Sequence, residues 1–555
     1  MFRDHFGLVR GVAALVLVAG AATGCESVGL PLTRNTAPLF DGMGSHHRAV
    51  TTESKKAQRY FDQGLIWTYS FNYDEATRSF RQAAALDPEC AMAYWGIALA
   101  NGPHINRTQM TDEQSRIAWE AINQARVRAH TVTEIERDLI EALATRYAWP
   151  PPADRTELDR AYAAAMKAVY AKYPDDADVA TLYAESLMDL WPWDLWSVQG
   201  EPRPDTPEIV AVLERALEID PNHPGANHLY IHAVEASPNP EKGVAAADRL
   251  RTLVPISGHM VHMPGHIDAR VGRWDLASDA NVAAIKADRR YRRISPRQDF
   301  YRTYMMHNDH FLAWSCMMEG RSADAIAAAR RMVADVPEDY ARENAAIVDA
   351  YTPIVVEALI RFGKWDEILA EPAPPQYLPI TTAFWRFARA TAYNAKGQID
   401  EAVAEQQRFR ELVKSIPSDA LMAINPAHDM LKIADLVLDA EIAYRKGDVE
   451  SAVQKLTEAA KMEDVQLYME PPDWPQPVRH ALGGILIAEK RYAEAEQVYR
   501  DDLKRWPENG WSLFGLAQAL HGQGKEEAYA VEARFKKAWA RADVVLRMTC
   551  MCLEE

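Results

Sequence analysis

Residues 57–90 read AQRYFDQGLIWTYSFNYDEATRSFRQAAALDPEC, and the spacing within this stretch decides the fold. With Ala57 as position 1, Gly64 falls at position 8, Trp67 at 11, Ala76 at 20, Phe80 at 24, Ala83 at 27 and Pro88 at 32. The pattern describes two helices packed so closely that only Gly or Ala fits where they cross, with the chain redirected by a proline at the end.

The same spacing continues outward. Pro221 and Pro255 lie one period of 34 residues apart. Gly265 and Ala277 occupy positions 8 and 20, and Ala313 and Ala325 do so again. Further copies are anchored by Ala390 and Ala402, by Ala440 and Ala452, and by Gly483, Ala495 and Pro507, after which Ala517 opens a degenerate last copy. A glycine recurs at the turn inside the hairpin, as Gly272, Gly320, Gly363, Gly397, Gly447 and Gly524. One such hairpin cannot bury its apolar face alone, whereas stacked neighbours share a continuous core.

On these residues the sequence resembles the tetratricopeptide repeat superfamily. The resemblance implies an all-α fold, a right-handed superhelical solenoid of about ten hairpins whose first helices line a concave inner wall. Residues 57–300 form the N-terminal repeats and 301–545 the C-terminal ones. Two insertions break the period. Residues 101–114 carry Pro103 and His104, and residues 190–207 carry Trp191, Trp193 and Trp196. Long connections in compact folds tend to be functional, although tryptophans beside prolines also pack loops onto a scaffold.

The 555-residue chain is 48% hydrophobic and 25% charged, ordinary for a folded protein, and its net charge of −17 argues against a nucleic-acid partner. Its one basic run, Arg289, Arg290, Arg292, Arg293 and Arg297, is short enough to be a solvated face. Residues 1–24 read as an export signal: Arg3 and Arg10 flank the start, and an apolar run over 12–22 is too short to span a bilayer. The sequence Ala22-Thr23-Gly24-Cys25 resembles a bacterial lipobox, which implies acylation of Cys25 and a lipid-anchored protein facing the periplasm. Residues 25–56, with Pro31, Pro38 and several Gly, Ser and Thr, are expected to be a flexible tether. Cys550 and Cys552, beside Met548 and Met551, form a weaker soft-ligand motif.

Eight histidines fall between His223 and His310, and seven of them use three repeat positions. His259 and His307 stand at position 2, His228, His262 and His310 at position 5, and His232 and His266 at position 9. Steps of three and four put these positions on one stripe of the first helix, away from the core positions 4, 8 and 11. The pairs His228/His232 and His262/His266 have the His-x-x-x-His spacing of helical metal sites, and imidazole suits copper, zinc or iron. Glu235, at position 12, and Glu185, at position 9 of the preceding hairpin, are candidate carboxylate ligands. Met260, Met263, Met305 and Met306 interleave with the histidines, where they either favour copper or simply pack between helices.

The sequence has no HExxH, GxSxG, P-loop or dinucleotide fingerprint, and indicates no nucleotide or organic cofactor. Three readings follow. The first is a transition-metal binder using a histidine-lined concave groove. The second is a docking scaffold for a protein or peptide of the cell envelope, with the histidines as polar clamps. The third is a metalloenzyme using the same residues, which need no linear motif to activate water.

Overall fold

A computed structural model describes residues 37–296 and 298–551. The export signal and Cys25 lie outside the described residues, as do Arg297 and Cys552. The described residues form helix after helix, and the one exception is a two-stranded turn pairing Leu421–Met422 with Asn425–Pro426. No helix among them is long and apolar enough to cross a membrane.

The founding hairpin is Lys55–Tyr69 with Tyr73–Leu86, capped at its two starts by the side chains of Ser54 and Asn72, which accept from the Ala57 and Glu75 amides. Such caps satisfy backbone donors that a helix leaves unpaired. Comparable pairs recur along the chain, among them Pro224–Glu235 with Val244–Leu253, Tyr301–Glu319 with Ser322–Ala334, and Ala427–Arg445 with Val449–Asp464. The last copy, read as degenerate, is a regular pair, Gly510–Gly522 with Glu527–Ala538. All six turn glycines have positive φ, from 62° at Gly363 to 83° at Gly447.

Two of the position-8 glycines, Gly64 and Gly483, are explained by the rings they face. A Cβ on Gly64 or on Gly96 would lie 2.7 Å and 2.4 Å from Phe80 Cδ1, so Phe80 at position 24 is held between two bare backbones of successive hairpins. Gly483 and Gly515 hold Tyr499 in the same way, at 2.3 and 2.1 Å. Gly96→Ala is therefore expected to destabilise the protein by about 1–3 kcal/mol, the usual cost of overpacking a core. A urea midpoint equal to the parent's would show that the ring has room to move.

Two features depart from an open solenoid with a free leader. Residues 37–54, expected to be tether, are packed down. The Phe40 ring stands 5.3 Å from Trp67 and 5.6 Å from Tyr291, its amide donates to Gln63 Oε1, and the buried Arg48 guanidinium donates to Asp176 and Asp178. The proline and glycine content of this segment is compatible with a fixed path because Phe40, Met43 and Arg48 find buried partners far away in sequence.

The C-terminal hairpins also close back on the middle of the chain. Trp506 packs edge-on against Trp314 at 5.2 Å, the Trp274 indole donates to the Pro507 carbonyl, and the Trp511 indole donates to the Met317 carbonyl. Asp543 accepts from the Ser322 and Ala323 amides. The wall that carries the histidines is thereby enclosed.

Candidate metal centre

The histidine helices are Pro224–Glu235, the bent run made of Gly258–His262 and Pro264–Arg270, and Tyr301–Glu319. Pro264 lacks an amide hydrogen and interrupts the second run, but Met263 between its halves keeps helical angles of φ −50° and ψ −37°. His262 and His266 thus remain on one face.

Six histidines assemble into two groups of three, His228 with His232 and His259, and His262 with His266 and His307. In each group the three ligand atoms lie within 4.8 Å of one another. Both groups obey one rule: positions 5 and 9 of a hairpin meet position 2 of the next. Translating the rule by one repeat generates the second group from the first.

The rule also explains the two expected ligands that are left out. His310 stands at position 5, but position 9 of its helix is Trp314, so it has no helical partner; its ring lies 5.0 Å from Tyr351. Glu185 stands at position 9, but position 5 of its helix is Thr181 and position 2 of the next is Gly225. It is buried near Asp189 and Arg146, and burial followed by Asp189 pushes its carboxyl up to about 8. Neither joins a group of three.

Hydrogen bonds to the far side of the rings set which nitrogen is free. His228 Nδ1 donates to the Tyr69 carbonyl at 2.6 Å. His262 Nδ1 donates to Asn281 Oδ1 at 2.7 Å, and the orientation of that amide is fixed because its nitrogen donates to the Ala277 carbonyl. His232 Nδ1 donates to Glu235 Oε1 at 2.8 Å, and His266 Nδ1 lies 2.9 Å from Glu235 Oε2 and 3.3 Å from Glu470 Oε2. Glu235 therefore faces one ring of each group, and with His266 and Glu470 it also offers a further set of ligand atoms within 4.8 Å of one another. This is the arrangement in which an outer carboxylate or carbonyl orients a metal-binding imidazole.

The Nε2 atoms of these four rings consequently turn away from their acceptors, while Nδ1 of His259 and of His307 is buried without a hydrogen-bond partner. His228 Nε2 and His259 Nε2 are 3.1 Å apart, and His262 Nε2 and His266 Nε2 are 2.8 Å apart. Two lone pairs at such distances repel unless a proton or a cation lies between them. Burial, and then the neighbouring imidazoles, push His228, His259, His262 and His307 well below the usual histidine range, so these rings are neutral and ready to ligate. His266 is the exception: burial opposes its charge, but ionised Glu235 and then Glu470 hold it up at about 10. It carries the proton that an ion would displace.

Aromatic rings seal both groups. Phe71 lies 4.4 Å from His228 and 5.4 Å from His259, Tyr304 lies 4.5 Å from His259, and Phe311 lies 5.2 Å from His262. Met260 and Met263 are buried in the apolar core, which is the packing role rather than the copper-ligand role. Cys550 is disulfide-bonded, which removes its thiolate from the soft-ligand motif.

The sequence did not reveal Glu470, 204 residues beyond His266 in numbering and outside the histidine stripe. It also undervalued His46, whose Nε2 lies 3.1 Å from Asp178 Oδ1. The Tyr69 hydroxyl and His223 Nε2 donate to the same oxygen at 2.5 and 3.0 Å, while Arg48 takes the other oxygen. With both oxygens engaged, this third group is a buried polar hub that anchors residues 46–48.

No protein-family model and no curated protein matches the chain. Among solved structures it is similar to a chain of the APC/C hetero-tetramer Cut9-Hcn1, with 13% identity and TM-score 0.30, covering 87% of this chain and 76% of that one. It is similar to the human IFIT1 dimer with m7Gppp-AAAA, with 12% identity and TM-score 0.32, covering 89% and 92%. It is also similar to yeast Tom70, with 12% identity and TM-score 0.25, covering 87% and 93%. What the chain's own residues establish is the architecture, a helical array built on the tetratricopeptide pattern, in which a position-8 glycine and a position-6 glycine of the next hairpin clasp a position-24 ring.

Proposed function

We propose that this chain is a metal-binding protein that holds two transition-metal ions in its interior, one in each group of three histidines. The observation that carries this reading is the convergence of three histidine ligand atoms in each group, with the Nε2 atoms of His228, His232 and His262 freed by acceptors on the opposite side of their rings. Three imidazole nitrogens with an open fourth position are the donor set of catalytic zinc sites and also suit copper and iron. The export motif at Cys25 would place the protein on a bacterial envelope membrane, facing the periplasm.

The docking reading uses the same stripe as an open wall. All seven histidines are buried, from fully enclosed at His228 to 9% exposed at His307. A peptide laid along this wall would first have to displace Phe71, Tyr304, Tyr468 and Glu470, so the stripe serves an interior ligand better than a groove-bound one.

Elemental analysis of the mature protein after reconstitution tests the proposal, with two ions per chain as the expected value for the two groups. Glu235→Gln keeps the shape of the bridge but removes its charge, and should weaken metal affinity by about 10–100-fold, the effect typical of lost outer-shell carboxylates. A reconstituted sample without bound metal ends this reading.

A further inference from the structure

The two insertions that break the repeat period converge on one place. Trp193, from residues 190–207, donates its indole hydrogen to Asn106 Oδ1 of the other insertion at 2.8 Å, and its ring stands 5.6 Å from His232. Between them lies a cavity of about 30 Å³. Trp191, Trp193, Leu195 and Ile105 wall it, and His232, Glu235 and Tyr468 also line it. His232 Nε2 is buried without a hydrogen-bond partner. Two other cavities, one beside Arg361 and one beside Arg302, touch none of the six clustered histidines.

The protein holds strained backbone at this spot. Trp193 is a bulky residue with φ of 57°, in the left-handed region that costs a non-glycine residue about 1–2 kcal/mol. Its ring stands edge-on to His232, whose other face has Phe71 stacked at 5.9 Å. Strain of this kind persists only where the surroundings impose it, and it collects at ligand sites.

Size and chemistry restrict the occupant. A water molecule needs roughly 10–15 Å³ of such space, so the cavity admits two or three heavy atoms and excludes amino acids, sugars and nucleotides. The apolar and aromatic walls favour a weakly hydrated molecule, and an ion held at the histidine end would offer an open position. We infer that this cavity is the binding pocket for a diatomic or triatomic lone-pair donor, which takes the open position of the ion held by His228, His232 and His259. The inference rests on the proposed metal site.

Azide is the probe. The mature chain is loaded with Co(II), its cobalt content is measured, and visible absorption is followed as azide is added. A saturable spectral change is expected. Ala236, which also lines the cavity, allows it to be filled. Ala236→Phe should weaken azide binding by at least about tenfold while leaving cobalt content unchanged, as befits a steric block. Trp193→Ala, which enlarges the cavity, should let imidazole change the spectrum where the parent protein excludes it. Cobalt-replete protein that ignores azide, or an Ala236→Phe protein that binds it like the parent, overturns this inference alone. A parent protein that takes up no cobalt overturns the metal site and this inference together. Should Ala236→Phe fail to fold, the imidazole result decides, and indifference of cobalt-replete Trp193→Ala to imidazole counts against the pocket.

Discussion

Replacing both His262 and His266 by alanine is expected to lower the metal content of the reconstituted protein from two ions per chain to one. His307 alone cannot retain an ion in place of a three-nitrogen site, whereas His228, His232 and His259 keep all their nitrogens. The reciprocal variant, His228→Ala with His232→Ala, should spare the other ion. The groups are not wholly independent, because Glu235 faces both His232 and His266. Loss of His266 removes its cationic partner, and the surviving site should change in affinity by no more than about tenfold, the lower end of outer-shell effects. Elemental analysis gives the stoichiometry, and competition with a chelator gives the affinity. If either double variant loses both ions, the histidines form one inseparable centre; if neither loses any, the ligands lie elsewhere.

Trp506→Ala is expected to destabilise the protein by about 3–5 kcal/mol, the range for deleting a buried aromatic ring. Trp506 is 2% exposed and packs against Trp314 and Trp274, which belong to the histidine-bearing part of the chain. The Trp506–Trp314 contact joins residues 192 apart in numbering, so its loss should be felt as weakened closure as well as a local cavity. Chemical denaturation followed by far-ultraviolet circular dichroism measures the loss. A decrease below about 1 kcal/mol, the level of an ordinary substitution, would mean that closure is held elsewhere.

Repeat spacing makes much of this legible in the sequence. Helix pairing, the turn glycines and the place of Phe80 follow from near-neighbour contacts, which recur with the period and can be counted along the chain. The histidine stripe was legible for the same reason. What periodicity cannot convey is contact between distant repeats. Glu470 reaches His266 only because the C-terminal hairpins fold back, and Arg48 is fixed only because Asp176 and Asp178 await it. His310 and Glu185 lie on the stripe but join no group of three, because grouping also requires the right residues at the two companion positions.

The rule that joins positions 5 and 9 of one hairpin to position 2 of the next makes each site a seam between modules, and not the property of either. The length of chain that joins the hairpins does not set the seam: 31 residues separate His228 from His259 and 45 separate His262 from His307, yet both groups form by the same rule. What each site needs is register within its helix, where one residue inserted between His228 and His232 would swing them about 100° out of their present alignment, since a helix turns once in 3.6 residues. Such an insertion would leave every histidine in the chain, so in a homologue the His-x-x-x-His spacing is a better guide than a count of ligands or the length of a connector.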